Sequence, residues 1–258
     1  MIKTGCFLLS LPLVFIIWKN NHKIFFLING FYSDFLGYPM IFLTAMADGL
    51  FVIMIASVLY GRKKGYYWSF LVSFLVSSSI VNLIKNVYST GRPLAYYPLD
   101  KIYYAGDTLM YQSFPSGHAA AAMVLARYLM QGENKVWKAI FFSIGILCAV
   151  SRIYIGVHFP YDVIMGASLG FFIAHGIFFI AKKKSSHSKR PEYRYNPVLV
   201  SLVGMVTALL YLLYHNENYA PLSQVINITA LIFLIYFIFH LLRKLFQIYN
   251  VKSNGNAK

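Results

Sequence analysis

The sequence predicts an all-α fold, a polytopic bundle of membrane helices, and three observations carry that prediction. Of 258 residues, 59% are hydrophobic and only 12% charged, with a mean hydropathy of +0.59, whereas a soluble domain carries about 25% charge. Apolar runs of about 20 residues, the length that spans a bilayer, recur along the chain. Basic clusters such as Arg62-Lys63-Lys64, Lys182-Lys183-Lys184 and Lys189-Arg190 fall between those runs, as the positive-inside rule expects.

Hydropathy places eight helices, over about 4–19, 39–60, 67–89, 117–131, 136–156, 160–181, 197–215 and 224–246. The first follows Lys3 and precedes Lys19 and Lys23 without a small-x-small cleavage site, so it reads as an uncleaved span. Residues 23–38 mix Phe25, Phe26, Phe31, Tyr32 and Phe35 with Asn29, Ser33 and Asp34; an aromatic interfacial helix and a plain loop both fit. The second span carries Asp48 inside hydrocarbon, where an acid is a functional suspect; pairing with a hydroxyl or a cation is the expected reason. The third ends at Gly91 and Pro93. Its Lys85 and the following Arg92 are seven apart, two helical turns, which would put both on one helix face. The loop 91–115 holds Tyr96, Tyr97, Tyr103, Tyr104 and Tyr111, either an aromatic belt in the headgroup layer or a lid. The fourth span begins after Pro115-Ser116 and runs past His118 to Arg127, which is expected to snorkel to the interface. The fifth carries Ser151 and Arg152, and the sixth starts at Pro160 with Asp162 behind it. A basic linker over 182–196 leads to the last two spans. The expected organisation is a first span and interfacial segment over 1–38, a catalytic core over 39–181, that linker, and a C-terminal pair with its tail over 197–258.

Counting Lys and Arg orients the bundle. With both ends inside, the cytoplasm receives Lys3, Arg62–Lys64, Lys135, Lys138, Lys182–Lys184, Lys189, Arg190, Arg194, Arg243, Lys244, Lys252 and Lys258. The outside receives Lys19, Lys23, Lys85, Arg92, Lys101 and Arg152. The net charge of +15 therefore reports topology. Nucleic acid is not an expected partner, because there is no continuous basic face. Cys6 and Cys148 sit in apolar segments and read as small buried hydrophobes. His175 and His240, near span ends, read as satisfied or interfacial.

The chemistry lies in three stretches that this topology brings to the outer face: Lys85…Arg92-Pro93, Pro115-Ser116-Gly117-His118, and Ser151-Arg152…His158…Asp162. Three cations beside two histidines suit a phosphate ester, whose equatorial oxygens must be neutralised while a nucleophile is held in line and the leaving oxygen is protonated. Arg152 offers a donor fork that matches phosphate oxygens. Gly117 permits close backbone approach, and Ser116 adds a hydroxyl at a helix start, where anions are favoured. Asp162, one helical turn after His158, fixes its tautomer and leaves the other ring nitrogen to attack. His118 remains as the acid. One carboxylate among cations is no cage for Mg²⁺, so neither metal nor other cofactor is expected.

In these residues the chain resembles the type 2 phosphatidic acid phosphatase (PAP2) superfamily. Lys85, Arg92 and Pro93 fit its Lys-x6-Arg-Pro pattern, Pro115 to His118 fit Pro-Ser-Gly-His, and Ser151, Arg152, His158 and Asp162 fit Ser-Arg-x5-His-x3-Asp. The resemblance covers about residues 40–181. It implies a six-helix core, to which two C-terminal spans are added, and a phosphohistidine on His158 with His118 as acid. It further implies phosphate held by Lys85, Arg92, Ser116, Gly117 and Arg152 without metal, and as substrate a lipid phosphate or pyrophosphate, such as lipid A phosphate, undecaprenyl pyrophosphate, phosphatidylglycerophosphate or phosphatidate. A site at headgroup depth suits such an amphiphile at the periplasmic face of a bacterial inner membrane. A lipid phosphotransferase would carry the same motifs. A transporter should show repeats or broken helices in both halves, and the sequence has no such symmetry. Oligomeric state is not written in the sequence.

Overall fold

The computed structural model describes residues 12, 14–59, 66–106, 108–187, 197–214 and 223–255. Most of the expected first span, Cys6 and several counted cations (Arg62–Lys64, Lys189, Arg190, Arg194 and Lys258) lie outside the described residues. Ten helices follow the helical residues 14–19: α1 (Asn21–Asn29), α2 (Asp34–Met46), α3 (Gly49–Leu59), α4 (Tyr67–Val87), α5 (Pro93–Tyr96), α6 (Gly117–Leu129), α7 (Lys135–Tyr154), α8 (Pro160–His187), α9 (Pro197–Tyr214) and α10 (Ser223–Gly255). Among the described residues, four are long and apolar enough to cross a membrane: Tyr67–Val87, Lys135–Tyr154, Pro160–Lys183 and Ser223–Tyr249. Taken together, α2 and α3, bent by 74° at their junction, form a fifth candidate, as a broken span or a re-entrant loop.

That bend corrects the single continuous helix expected over 39–60. The last N–H groups of the first half turn back onto near carbonyls, Ala47 to Thr44 and Asp48 to Ala45. Asp48 Oδ1 then accepts the Leu50 N–H at 2.9 Å and starts a new helix. Hydropathy sums over the break without detecting it. Residues 23–38 are likewise settled: they fold as α1 and the start of α2. This segment is anchored inward, with Phe25 fully buried and Asn29 donating to both Tyr103 O and Tyr154 O at 2.8 Å.

The centre of the bundle is α6, an alanine-rich helix buried from Ala119 to Ala126. Small side chains let its neighbours come close. A Cβ at Gly166 would stand 2.2 Å from Ser116 O, and one at Gly170 would stand 2.2 Å from Ala120 O. Two glycines one turn apart thus seat α8 directly on the α6 backbone, running in the same direction. Hydroxyls tie other crossings: Ser73 to Tyr128 at 2.9 Å, Ser57 to Tyr67 at 2.7 Å and Thr44 to Ser151 at 2.7 Å. The C-terminal pair α9 and α10 docks on α3, where Phe51 meets Tyr211 and Phe233 edge to face. Loop 97–115 folds back over the helices, and Tyr103 stacks on Tyr32 at 3.8 Å.

Candidate active site

Every residue expected at the site lies at one end of α4, α6, α7 and α8 or in the loops joining them. Lys85 is in the last turn of α4. That helix stops at Val87, so Arg92 does not continue its face two turns on. The expectation fails because the chain unwinds three residues before Gly91. Instead Arg92 caps α5 ahead of Pro93 and is clamped to the returning loop, its backbone N–H on Met110 O at 2.7 Å and its Nε on Tyr111 O at 3.0 Å. Arg152, in the last turn of α7, is 6% exposed, and Arg92 is 7% exposed.

Ser116 is the N-cap of α6; its hydroxyl accepts the Ala119 N–H at 3.4 Å, and its own N–H donates to Asp162 O at 3.0 Å. Gly117 opens the helix, and a Cβ there would meet only Val81 Cγ1 at 3.7 Å. His118 follows, a quarter open, beside a cavity of about 150 Å³ that Gly49, Ser78 and Asn82 also line.

His158 hangs from the turn between α7 and α8 and is fully buried. That turn passes through Gly156 at φ +80°, a left-handed conformation that glycine adopts without strain. Burial, and then the charges of Arg92, Arg152, Lys85 and His118, hold its pKa well below the usual 6.5 and so keep the imidazole neutral. Four groups from three sequence stretches therefore converge on this one ring.

Its link to Asp162 is indirect. The separation Nδ1 to Oδ2 is 3.8 Å, too long for a hydrogen bond. Ser113 fills the gap: its hydroxyl donates to Asp162 Oδ2 at 2.6 Å and lies 3.3 Å from His158 Nδ1. A hydroxyl has one proton. With that proton on the carboxylate, Nδ1 must be the donor to Ser113, and the lone pair of a neutral ring is then on Nε2. Asp162 Oδ2 also accepts the Phe159 N–H at 3.0 Å, which fixes the carboxylate against the turn that carries His158.

Sequence reasoning missed Ser113, which sits in a loop outside every motif. It also missed Thr90, whose carbonyl and hydroxyl receive the Ser113 and Phe114 N–H groups at 3.1 and 3.0 Å. Asp48 was visible as an intramembrane acid, and the structure sets it beside one of the two site histidines. Its Oδ2 lies 3.7 Å from His118 Nε2. The two expected bystanders are satisfied: His175 accepts from Arg127 Nε at 3.2 Å, and His240 pairs with Ser201 at 2.7 Å.

Against known families, the PAP2 superfamily model matches residues 66–186, from the start of α4 nearly to the end of α8. Over that region the chain is a PAP2-superfamily membrane lipid phosphate phosphatase. A lipid A 4'-phosphatase of Bacteroides thetaiotaomicron is 28% identical over 204 residues, covering 69% of this chain and 90% of the relative. The crystal structure of LpxE from Aquifex aeolicus superposes with a TM-score of 0.55 at 28% identity, over 63% of this chain and 94% of that one. A PAP2-type phosphatidylglycerolphosphate phosphatase of Bacillus subtilis gives 0.54 at 25% identity, over 74% and 98%. The PAP2 match ends before α9, so the C-terminal pair lies outside it. Among the described residues no three His, Cys, Asp or Glu side chains group as metal ligands.

Proposed function

We propose that this PAP2 enzyme removes phosphate from a bacterial envelope lipid at the periplasmic face of the inner membrane, through a phosphohistidine on His158. The observation that supports the reading is the Ser113 bridge, which commits Nδ1 of a neutral, buried imidazole and leaves the lone pair on Nε2 for attack on phosphorus. Lys85, Arg92 and Arg152, with the Ser116 hydroxyl and the backbone at Gly117, bind the phosphate oxygens and stabilise the charge that grows in the transition state. Nε2 attacks phosphorus, the bond to the leaving oxygen breaks, and His118 gives that oxygen a proton. Water then attacks the phosphohistidine, releasing phosphate and restoring Nε2. Asp48 steadies His118 in the first step as Asp162, through Ser113, steadies His158. Metal has no part in this scheme.

The cavity beside His118 supports a lipid substrate, because the leaving alcohol must lie next to the group that protonates it. The membrane arrangement that fits is a six-helix core with two further C-terminal spans, and the charge bias supports the outward face. Lipid A phosphate is the first candidate, after the Bacteroides thetaiotaomicron relative; phosphatidylglycerophosphate, undecaprenyl pyrophosphate and phosphatidate complete the panel. The test is phosphate release by the purified full chain from each lipid in mixed micelles, with and without chelator and vanadate. Release from one of them, insensitive to chelator and blocked by vanadate, supports the reading. Release that requires Mg²⁺ overturns the mechanism, and phosphate appearing only on an acceptor lipid makes the protein a phosphotransferase.

A further inference from the structure

A second cluster of cations stands at the far end of the two helices that carry His118 and Asp162. Both α6 and α8 begin at the active site, where Ser116 N–H meets Asp162 O, and run together past Gly166 and Gly170 to Arg127 and His175. Lys182 lies twenty residues beyond Asp162, about 30 Å along a helix, which is the thickness of the hydrocarbon core. Arg127, Gln131, His175, Phe178, Lys182 and Lys183 line a cavity of about 430 Å³, completed by Phe179. None of these residues takes part in the phosphate chemistry described above.

The positive-inside rule accounts for Lys182 and Lys183 but not for how Arg127 is held. Its Nε donates to His175 Nδ1 at 3.2 Å, and its guanidinium carbon stands 4.4 Å over the Phe178 ring. The ring face and the imidazole fix the plane of the fork, and the Nη groups, with four of its five N–H donors, take no part in either contact. With Nδ1 accepting, a neutral His175 carries its proton on Nε2, a further donor. Arg127, Lys182 and Lys183 thus bring three cationic side chains to this space, with the Gln131 amide beside them. A half-buried guanidinium is partly withdrawn from water, and an anion in the cavity would give its Nη groups a partner. Apolar surface adjoins it: Phe172, Phe179 and Ile180 on α8 are 54%, 63% and 67% exposed, and Phe172 and Phe179 are two turns apart on one side of the helix. Acyl chains attached to the anion have a surface to lie on, which free phosphate would not use.

We propose that this cavity binds the phosphate of an anionic phospholipid from the leaflet opposite the active site. Basic pockets between membrane helices hold such headgroups by the same chemistry. The site is independent of the catalytic reading, and its test does not use turnover. Phosphatidylglycerol binding to the purified full chain in neutral detergent would be measured by native mass spectrometry, with phosphatidylcholine as the zwitterionic comparison. Arg127→Gln/Lys182→Gln/Lys183→Gln should weaken phosphatidylglycerol binding by about tenfold or more and leave phosphatidylcholine binding unchanged. Lys135→Gln/Lys138→Gln/Lys244→Gln removes the same charge away from the cavity and should change binding by less than about threefold. Lys182 and Lys183 are exposed, so Lys182→Gln/Lys183→Gln alone serves if the triple variant does not fold, with several-fold weakening expected. Equal loss in the two triple variants would mean diffuse surface attraction and overturn the site, as would no loss in either. Displacement of phosphatidylglycerol by submillimolar inorganic phosphate or glycerol 3-phosphate would assign the cavity to a soluble anion and overturn the lipid.

Discussion

His158 stands 3.8 Å from Asp162, and His118 stands 3.7 Å from Asp48, but the two pairs are built in opposite ways. The first is local: four residues separate the partners, a turn and a helix start bring them together, and both side chains are almost wholly buried at 2% and 6%. The second spans seventy residues, and its carboxylate sits at the 74° break between α2 and α3. Its imidazole is 27% exposed, beside a cavity. A nucleophile benefits from a fixed tautomer and exclusion of water, whereas an acid must reach a leaving group that differs with the substrate. The difference in construction therefore matches the difference in role proposed for each, and variants can be chosen to break that match.

The largest effect should come from His158→Ala. Removing the group that attacks phosphorus is expected to cost about 10⁴-fold or more in kcat, by analogy with loss of a triad member. Lipid phosphates and activated aryl phosphates should suffer alike, and no acid-labile phosphoenzyme should be trapped by rapid quench. Activity within about tenfold of wild type would remove His158 from the nucleophile's place.

His118→Ala should come next and should separate the pairs. Loss of an acid typically costs about 10²–10⁴-fold, and the cost shrinks as the leaving group becomes more acidic. An alkyl lipid phosphate should be hydrolysed slowly, while a nitrophenyl phosphate admitted to the site should recover most of its rate. If the rescue appears in His158→Ala instead, the roles are reversed.

The two pairs also differ in how far the sequence reveals them. His158 and Asp162 are legible because i, i+4 spacing after a helix-starting proline is a local fact. Lys85, Arg92, Arg152, Ser116 and Gly117 are legible through their spacing and chemistry, and all lie at the same end of the bundle. What spacing misjudges is how each is held: Arg92 depends on Met110 and Tyr111, eighteen and nineteen residues on, not on the helix face of Lys85. Helix positions follow hydropathy within two residues for α4 and α7 and at the start of α8, whose apolar runs are long and uninterrupted; α8 runs six residues past its expected end, into the basic segment. The break at Ala47–Asp48 was hidden because a mean over apolar residues is insensitive to one carboxylate that caps a new helix. Ser113 was hidden because a serine in a long loop has no period, and its bond to Asp162 closes a distance of 49 residues. The Gly166 and Gly170 seat on α6 left a pattern of small residues one turn apart, which is weak until the facing backbone is known.

Asp48→Asn sharpens the second pair. Asparagine keeps an acceptor for the Leu50 N–H, so the α3 start survives, but the charge facing His118 is lost. Hydrolysis of an alkyl lipid phosphate should fall about tenfold, with less than a threefold effect on the activated ester, because Asp48 acts only through the acid. Equal loss on both substrates would assign Asp48 to the fold rather than to His118.

Ser113→Ala probes the first pair, with an expected effect no larger than that of Asp48→Asn. The hydroxyl does not touch phosphate in this mechanism; it passes the influence of Asp162 to Nδ1 of His158. Deleting it leaves Asp162 with the Phe159 N–H and leaves Nδ1 3.8 Å from the carboxylate, a gap that a small side-chain shift can narrow. A hydrogen bond to a charged group contributes about 1.5–3 kcal/mol when both partners are buried, and partial closure recovers some of that, so kcat should fall about tenfold with KM unchanged. Ser113→Thr restores the hydroxyl and should recover most of the rate, which a purely structural defect in the loop would not do. A loss as deep as that of Asp162→Ala would mean that Ser113 is the sole route between the carboxylate and the ring. No loss at all would mean that Asp162 reaches His158 directly during turnover, and the tautomer argument from the Ser113 bridge would then fall with it.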